Sequence, residues 1–329
     1  MKESEIRPEN LIKEYKKLVR EDIENYFNHA GSKKISCVAC DSSETETSFI
    51  KNAFPYCTCK NCGTLFQSPR ANEKIFTEFY KYSKSSDYWN HIFFPAVAEK
   101  RRKSIFLPRV ERVTKICDSE KINVKKLIEV GAGYGLFLEE WRKKNPKVLS
   151  SAIEPSPVFA KRMNALGINA EQKMLSEIDF NQNNNFDLVI SFEVLEHVFN
   201  PKEFISDLFK LCKPGGIILL SSLTIDGFDL SILGEESEQI YPPFHINFFS
   251  LKGIEILFKS FGISSLNITT PGKLDTQIVA RHFKKNDQLA LKHKFINSIL
   301  KNDENNSEFQ KFLSTNKLSS HFWVYCIKD

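Results

Sequence analysis

The stretch Leu127-Ile-Glu-Val-Gly-Ala-Gly-Tyr-Gly-Leu136 decides the fold. A short apolar run (Leu127, Ile128, Val130) breaks into glycines at 131, 133 and 135, and an amphipathic segment, 136–144, follows. That order predicts a strand, a tight loop and a helix. Glycines at alternate positions let the backbone turn sharply and lie against a ligand with no Cβ in the way. In an open α/β sheet such a loop stands at the carboxyl end of the first strand, where nucleotide-type ligands bind. A second apolar run, 148–153, ends in Glu154, about twenty residues beyond the loop. A carboxylate at that point accepts hydrogen bonds from both hydroxyls of a ribose.

Two further segments continue the pattern, Phe186-Asp-Leu-Val-Ile-Ser-Phe-Glu-Val-Leu-Glu-His-Val198 and Leu211-Cys-Lys-Pro-Gly-Gly216. With Glu129, the glycine loop and Glu154 they stand in the order seen in class I S-adenosylmethionine-dependent methyltransferases, which the chain resembles over roughly residues 105–282. The resemblance implies an α/β, Rossmann-like seven-stranded methyltransferase sheet with S-adenosylmethionine as cofactor. It carries cofactor contacts to Glu129, Gly131, Gly133, Gly135, Glu154, Phe192 and Glu193. Dehydrogenases share the loop but read Gly-x-Gly-x-x-Gly, and Leu136 stands where their third glycine would be. Glu193, Glu196 and His197 invite a metal-site reading, as in quinone-precursor O-methyltransferases with similar Glu-x-x-Glu-His runs; on a short helix they would share a face. A hydrogen-bonded cluster fixing the turn is the reading preferred here.

Ahead of this core lie Cys37-Val-Ala-Cys40 and Cys59-Lys-Asn-Cys62-Gly63, separated by eighteen residues. Two such pairs supply four thiolates to tetrahedral Zn²⁺, and the spacing is that of a small zinc ribbon with a structural metal. Gly63 follows the second pair, Asp41 the first, and Cys57 is a spare thiol outside the pattern. Five of the eight cysteines fall between 37 and 62, which suits metal binding better than a disulfide framework.

The 329 residues predict five parts. They are an N-terminal helix (1–34), the ribbon (35–70), a helical cap or linker (71–123), the cofactor-binding core (124–283), and C-terminal helices with a closing strand (284–329). Within them, 8–28 reads as an amphipathic helix, 71–83 as a helix, 83–90 as a loop or lid, and 95–117 as a long helix interrupted at Pro108. Residues 263–270 and 276–283 read as strands, 285–302 and 305–315 as helices, and 321–327 as the last strand of the sheet. Net charge is +5, with no dense basic stripe, and no apolar run nears the ~18 residues that span a bilayer. The N-terminus lacks an apolar signal region, so a cytoplasmic protein is expected. Lys100-Arg-Arg-Lys103 is read as solvated surface or as a contact to phosphate.

For an alcohol acceptor, a base must take the hydroxyl proton. His245 is placed best for this, on a long connection after the fifth strand, with Tyr241 beside it as a second catalytic candidate. The ribbon, the run His245-Ile-Asn-Phe-Phe-Ser250 and the run Thr270-Pro-Gly-Lys-Leu-Asp275 resemble bacterial surface-polysaccharide and deoxysugar methyltransferases. Sugar C-methyltransferases of that kind carry a glutamate before the histidine, where Phe244 stands here. The expectation is therefore O-methylation of a sugar hydroxyl in a nucleotide sugar or glycan precursor. The alternatives are sugar C-methylation and RNA base methylation with the ribbon and basic helix on the nucleic acid.

Overall fold

Apolar runs without alternation mark strands covered on both faces. The runs at 127–130 and 188–192 do form neighbouring central strands. The structure, a computed structural model, describes residues 3–181, 185–263 and 265–329. Among them the main sheet has seven strands: β1 (Lys126–Val130), β2 (Leu149–Ile153), β3 (Asn169–Glu171), β4 (Phe186–Phe192), β5 (Cys212–Leu223), β6 (Asn267–Thr269) and β7 (His321–Ile327). Their order is β6-β7-β5-β4-β1-β2-β3, with β7 antiparallel between β5 and β6. One face packs Leu127, Leu188, Ile190 and Leu219 against Phe137 and Trp141. The other packs Ile128, Val189, Ile218 and Leu220 against Leu208, Leu257 and Phe258. Asp187 ties three strand starts together: it accepts from the amides of Lys125 and Lys126, each at 2.7 Å, and pairs with Lys213 ahead of the main run of β5.

Several local expectations change. Residues 276–283 are helical, within Asp275–Lys285. Ile278, Val279 and Phe283 are buried there at helical spacing against Phe228, Leu300 and Leu313, so burial on one side outweighs their β-branched composition. β6 is shorter than 263–270, and Ser264 lies outside the described residues. The predicted loop at 83–90 is the helix Lys84–Tyr88 running into a π turn, Trp89–Phe93. Its start is satisfied by the Ser83 hydroxyl and by Asp22, which accepts from the amides of Lys84 (3.2 Å) and Ser85 (2.8 Å). The long helix at 95–117 is Phe94–Arg101, a second π turn Arg102–Phe106, and Leu107–Ser119. Each π turn closes with a bond from residue i to i−5, Phe94 to Trp89 and Leu107 to Arg102, immediately before Pro95 and Pro108. A proline has no N–H for the ordinary i−4 bond, so the ladder widens there rather than breaking. Residues 285–302 divide at His293 into Asp287–Lys292 and Lys294–Leu300.

The cysteine-rich segment forms a separate small sheet. Strands Thr45–Lys51, Phe54–Cys59 and Leu65–Gln67 meander, and the last pairs with Asn247–Phe248 from the connection after β5. Its apolar side, Phe54, Tyr56 and Leu65, packs on Leu223, Leu230 and Ile240. The helix Glu9–Phe27 lies over the junction, its Tyr15 and Val19 against Phe79 and Phe244. Among the described residues no helix is long and apolar enough to cross a membrane.

Asp187→Asn should destabilise the fold at neutral pH by about 1–3 kcal/mol, the usual cost of a lost buried charged acceptor. Burial opposes the charge of Asp187, but Lys213 and the two amides hold its carboxyl below the ordinary value. A depressed folded value gives stability that is full above the unfolded carboxylate range, near pH 4, and lost as pH falls through the folded value. Urea unfolding should therefore show the gap between wild type and variant at pH 7 and its closure in acid; a gap independent of pH would contradict this role.

Candidate active site

β1 leads into the glycine loop, where Gly131 has φ +72° and a Cβ would come 2.5 Å from Cγ2 of Val194. Only glycine fits that position. The Gly133 amide donates to Oε2 of Glu154 at 2.7 Å, and the Ser156 amide to Oε1 at 2.8 Å. Burial pushes the Glu154 carboxyl up to about 7, with the Ser156 and Gly133 amides pulling the other way. Glu129 is buried deeper, and its Oε2 is sealed from solvent with no partner among the described residues. Burial raises its carboxyl well above the usual range, against the pull of Arg109. Both carboxyls line a cavity of about 2450 Å³ with Gly131, Gly133, Phe192 and Glu193, and a Cβ on Gly133 would stand in open space. A buried acceptor short of a donor (Glu129), a second carboxyl with lone pairs to spare (Glu154) and the open face of Gly133 fit S-adenosylmethionine, whose ribose hydroxyls and ammonium are donors.

β4 ends in a turn, and the short helix on which Glu193, Glu196 and His197 would share a face does not form. Glu193 takes φ +55°, and the Glu196 carbonyl accepts from the amides of Ile246 (2.8 Å) and Asn247 (3.1 Å) instead of continuing a helical ladder. The turn sends its two carboxylates apart. Glu193 meets Arg109 (3.0 Å), His321 (2.9 Å) and the Ser221 hydroxyl (2.5 Å). Burial works against its charge, yet the His321 imidazolium, then Arg109, hold its carboxyl well below the usual range. Phe192 packs between Phe137 and Trp323, with the Arg109 guanidinium 4.9 Å above its ring. Glu196 instead accepts from the Ser222 hydroxyl at 2.7 Å and faces two imidazoles.

Those imidazoles are His197 and His245, with ring centroids 4.8 Å apart. One ligand atom each from Glu196, His197 and His245 lies within 4.8 Å of the others. Nδ1 of His245 donates to the Gln239 carbonyl at 2.5 Å and Nδ1 of His197 to the Phe244 carbonyl at 3.0 Å, which leaves Nε2 of each ring as an acceptor. Burial pushes His197 down to about 4; burial and then the neighbouring His197 push His245 down to about 3, so both rings are neutral at pH 7. Tyr241 lines the same cavity but stacks on Phe244 and packs at a tilt on Tyr15. Arg109 and His321 carry no local signal in the sequence that marks them for the site. His321 faces Leu223 across the β5–β7 ladder, so only the strand order brings it to Glu193.

The loop carrying His245 is fixed from outside. Tyr56 donates to the His245 carbonyl at 2.6 Å, the Gln67 amide to Ile246 at 2.8 Å, and Tyr80 to Phe244 at 2.9 Å. Ser250, which caps the following helix, donates to the Cys62 carbonyl at 2.5 Å. Behind these strands Cys37, Cys40, Cys59 and Cys62 converge, all four sulfurs within 4.8 Å of one another. Two of the separations are 3.6 Å and 3.5 Å. A tetrahedron of ~2.3 Å zinc–sulfur bonds has edges of about 3.8 Å, so the set fits Zn²⁺. The two turns are alike: in each, the amide after the second cysteine (Asp41, Gly63) bonds to the first cysteine's carbonyl at 2.9 Å. Asp41 (φ +59°) adopts the same left-handed backbone as Gly63 (φ +81°), so the apparent departure in the first pair is no departure in geometry. Cys57 faces away and donates to the Ser68 carbonyl at 3.1 Å.

A family model described as a methyltransferase domain matches residues 97–266. Among curated proteins, the mitochondrial ubiquinone biosynthesis O-methyltransferase of Dictyostelium discoideum is 32% identical over 183 residues, covering 46% of this chain and 55% of that protein. The ubiquinone biosynthesis O-methyltransferase of Actinobacillus pleuropneumoniae serotype 7 is 30% identical over 122 residues, 34% of this chain and 52% of that one. The chain thus spans about half the length of the curated relatives it matches. Among solved structures, the plantazolicin methyltransferase BpumL in complex with SAH aligns with a TM-score of 0.51 at 15% identity, over 77% of this chain and 94% of that one, a likeness of fold. With more than half of its length matched, the chain belongs to the methyltransferase-domain family, in its class I, S-adenosylmethionine-dependent form.

Proposed function

We propose that the chain transfers a methyl group from S-adenosylmethionine to a hydroxyl of a small aromatic acceptor, which Glu196, His197 and His245 receive. The observation that carries this reading is the convergence of their ligand atoms within 4.8 Å on the wall of the cavity that holds the glycine loop. Around them stand Tyr15, Tyr80, Trp89, Tyr241 and Phe244, a wall suited to a planar ring. The relatives named above are O-methyltransferases of ubiquinone biosynthesis, which favours a phenol-type hydroxyl over the sugar hydroxyl expected from the sequence.

When bound, S-adenosylmethionine supplies an electrophilic methyl on a sulfonium. In-line displacement then asks the protein chiefly for alignment. Glu154 would accept the ribose hydroxyls, Glu129 would face the ammonium end, and the glycine loop would let the cofactor lie against backbone. His245 was expected as general base, but a ring protonated only near pH 3 is a weak base at neutrality and a good ligand. Two neutral imidazoles, each oriented by an Nδ1–H bond to a backbone carbonyl, and one carboxylate form a set that would hold a divalent cation. That cation would supply Lewis acidity toward the acceptor hydroxyl. Separately, the four cysteines would hold one structural Zn²⁺, and the strand pairing from their module would keep the His245 loop in place.

Four measurements bear on this. Purified protein with labelled S-adenosylmethionine should methylate catechols; label in nucleotide sugars would restore the sugar reading, and label in RNA would exclude both. Glu154→Ala should weaken cofactor binding by about 1.5–3 kcal/mol in calorimetry, since it removes a buried acceptor. Elemental analysis after loading with Mn²⁺ should find a tetrathiolate Zn²⁺ lost in Cys59→Ser and kept in Cys57→Ser, and a Mn²⁺ lost in Glu196→Gln. Glu196→Gln should also lower kcat by about a hundredfold while its Zn²⁺ stays. Full activity of Glu196→Gln, with activity lost in His245→Ala, would return His245 to the role of base.

A further inference from the structure

The four consecutive cations at 100–103 do not act as one patch. Lys100 pairs with Glu5 at 3.6 Å. Arg102 is matched three times, by Glu99 (2.9 Å), Glu140 (2.6 Å) and Glu139 (3.0 Å). Lys103 is exposed. Arg101 alone of the four lines the cavity. Its guanidinium lies over the rings of Phe94 (5.1 Å), Trp89 (5.6 Å) and Phe93 (5.9 Å). Its Nε is sealed from solvent with no hydrogen-bond partner, and one terminal nitrogen reaches the Ile6 carbonyl at 3.5 Å. Among the described residues no carboxylate stands within ion-pair distance of it.

The surrounding charge makes this costly. Burial, then repulsion from Arg7 and Arg109, push Arg101 down to about 9. The nearby anion, Glu193, is already matched by Arg109 and His321. A cation drawn partly out of solvent with no counter-charge of its own is destabilising, and an anionic ligand offsets that cost. The arginine also faces a definite part of the cavity. Its stacking partner Trp89 packs on Tyr15 (5.1 Å), and Tyr15 on Tyr241 (6.0 Å) and Phe244 (5.8 Å), the residues leading into His245. An aromatic wall therefore runs from Arg101 to the Glu196–His197–His245 cluster. Arg7 lines the same cavity.

We propose that Arg101, with Arg7 on the same cavity wall, is the subsite for an acidic group on the methyl acceptor, so that the acceptor is an anionic hydroxylated aromatic molecule anchored at one end and methylated at the other. This rests on the O-methyl-transfer reading above. A carboxylate could also come from the cofactor itself, and the experiment separates the two sources.

Calorimetry on the SAH-saturated full chain would compare 3,4-dihydroxybenzoate with 4-methylcatechol, which keeps the hydroxyls but lacks the acid. Wild type should bind the acid about tenfold or more tightly, and Arg101→Met should erase that preference while leaving 4-methylcatechol unchanged. Arg101→Lys should restore part of it. Binding of SAH and of 5′-methylthioadenosine, which has no carboxylate, should stay within about twofold in Arg101→Met, a control that also reports folding. Equal or absent binding of the two catechols by wild type, or a preference that survives Arg101→Met, would overturn the proposal. Loss of SAH binding with methylthioadenosine spared would overturn it too, and would assign Arg101 to the cofactor. Turnover is recorded on the same samples: binding of the acid without methylation would count against the O-methyl reading and leave the anion subsite standing.

Discussion

Two residue pairs, Leu65 with Phe248 and Phe66 with Asn247, form the ladder on which the rest of the site depends. A connection as long as the one after β5 would lose much conformational entropy if it had to order itself. Here part of it becomes a strand of another sheet, and its carbonyls are taken by Tyr56, Gln67 and Tyr80. Once Ile246 and Asn247 are in place, their amides fix the Glu196 carbonyl, and the turn after β4 follows. The cysteine module is thus a clamp on the loop rather than an appendage.

Much of this was legible in the chain because each element had its own short-range signal. The glycine loop, the strand ending in Glu154 and the two Cys-x-x-Cys turns all announce themselves within a few residues. Residues 276–283 misled because Thr276, Ile278 and Val279 favour strands, while the decisive fact, a one-sided apolar surface to cover, lies in the separate helices that carry Phe228, Leu300 and Leu313. The Glu193–Glu196–His197 run shows a different limit. Its spacing suits a helix face, but the turn divides the group, giving Glu193 to Arg109 and His321 and leaving Glu196 to the imidazoles. No local pattern announces a partner that arrives from residue 321 or 245.

The charge pattern of 100–103 shows the same limit. Composition gives four cations, and a regular helix would have spread them around its circumference. A π turn begins at Arg102, and the two neighbours meet different surroundings, Arg101 the rings of Phe94 and Trp89, Arg102 the carboxylates of Glu99, Glu139 and Glu140.

The position of β7 has a consequence for how the molecule comes into being. The strand at 321–327 lies inside the sheet, between β5 and β6, so β6 has no partner until those residues leave the ribosome. Glu193 likewise waits for His321. For the whole time that residues 267–320 are being synthesised, β5 carries an open edge with Ile217 to Leu223 exposed along it. At ~5–20 residues per second that interval lasts several seconds, long compared with the formation of local helices. The nascent chain therefore passes through a stage with its glycine loop built, its cysteine turns made and its sheet still unsealed, the stage at which such a protein depends most on being shielded from its neighbours.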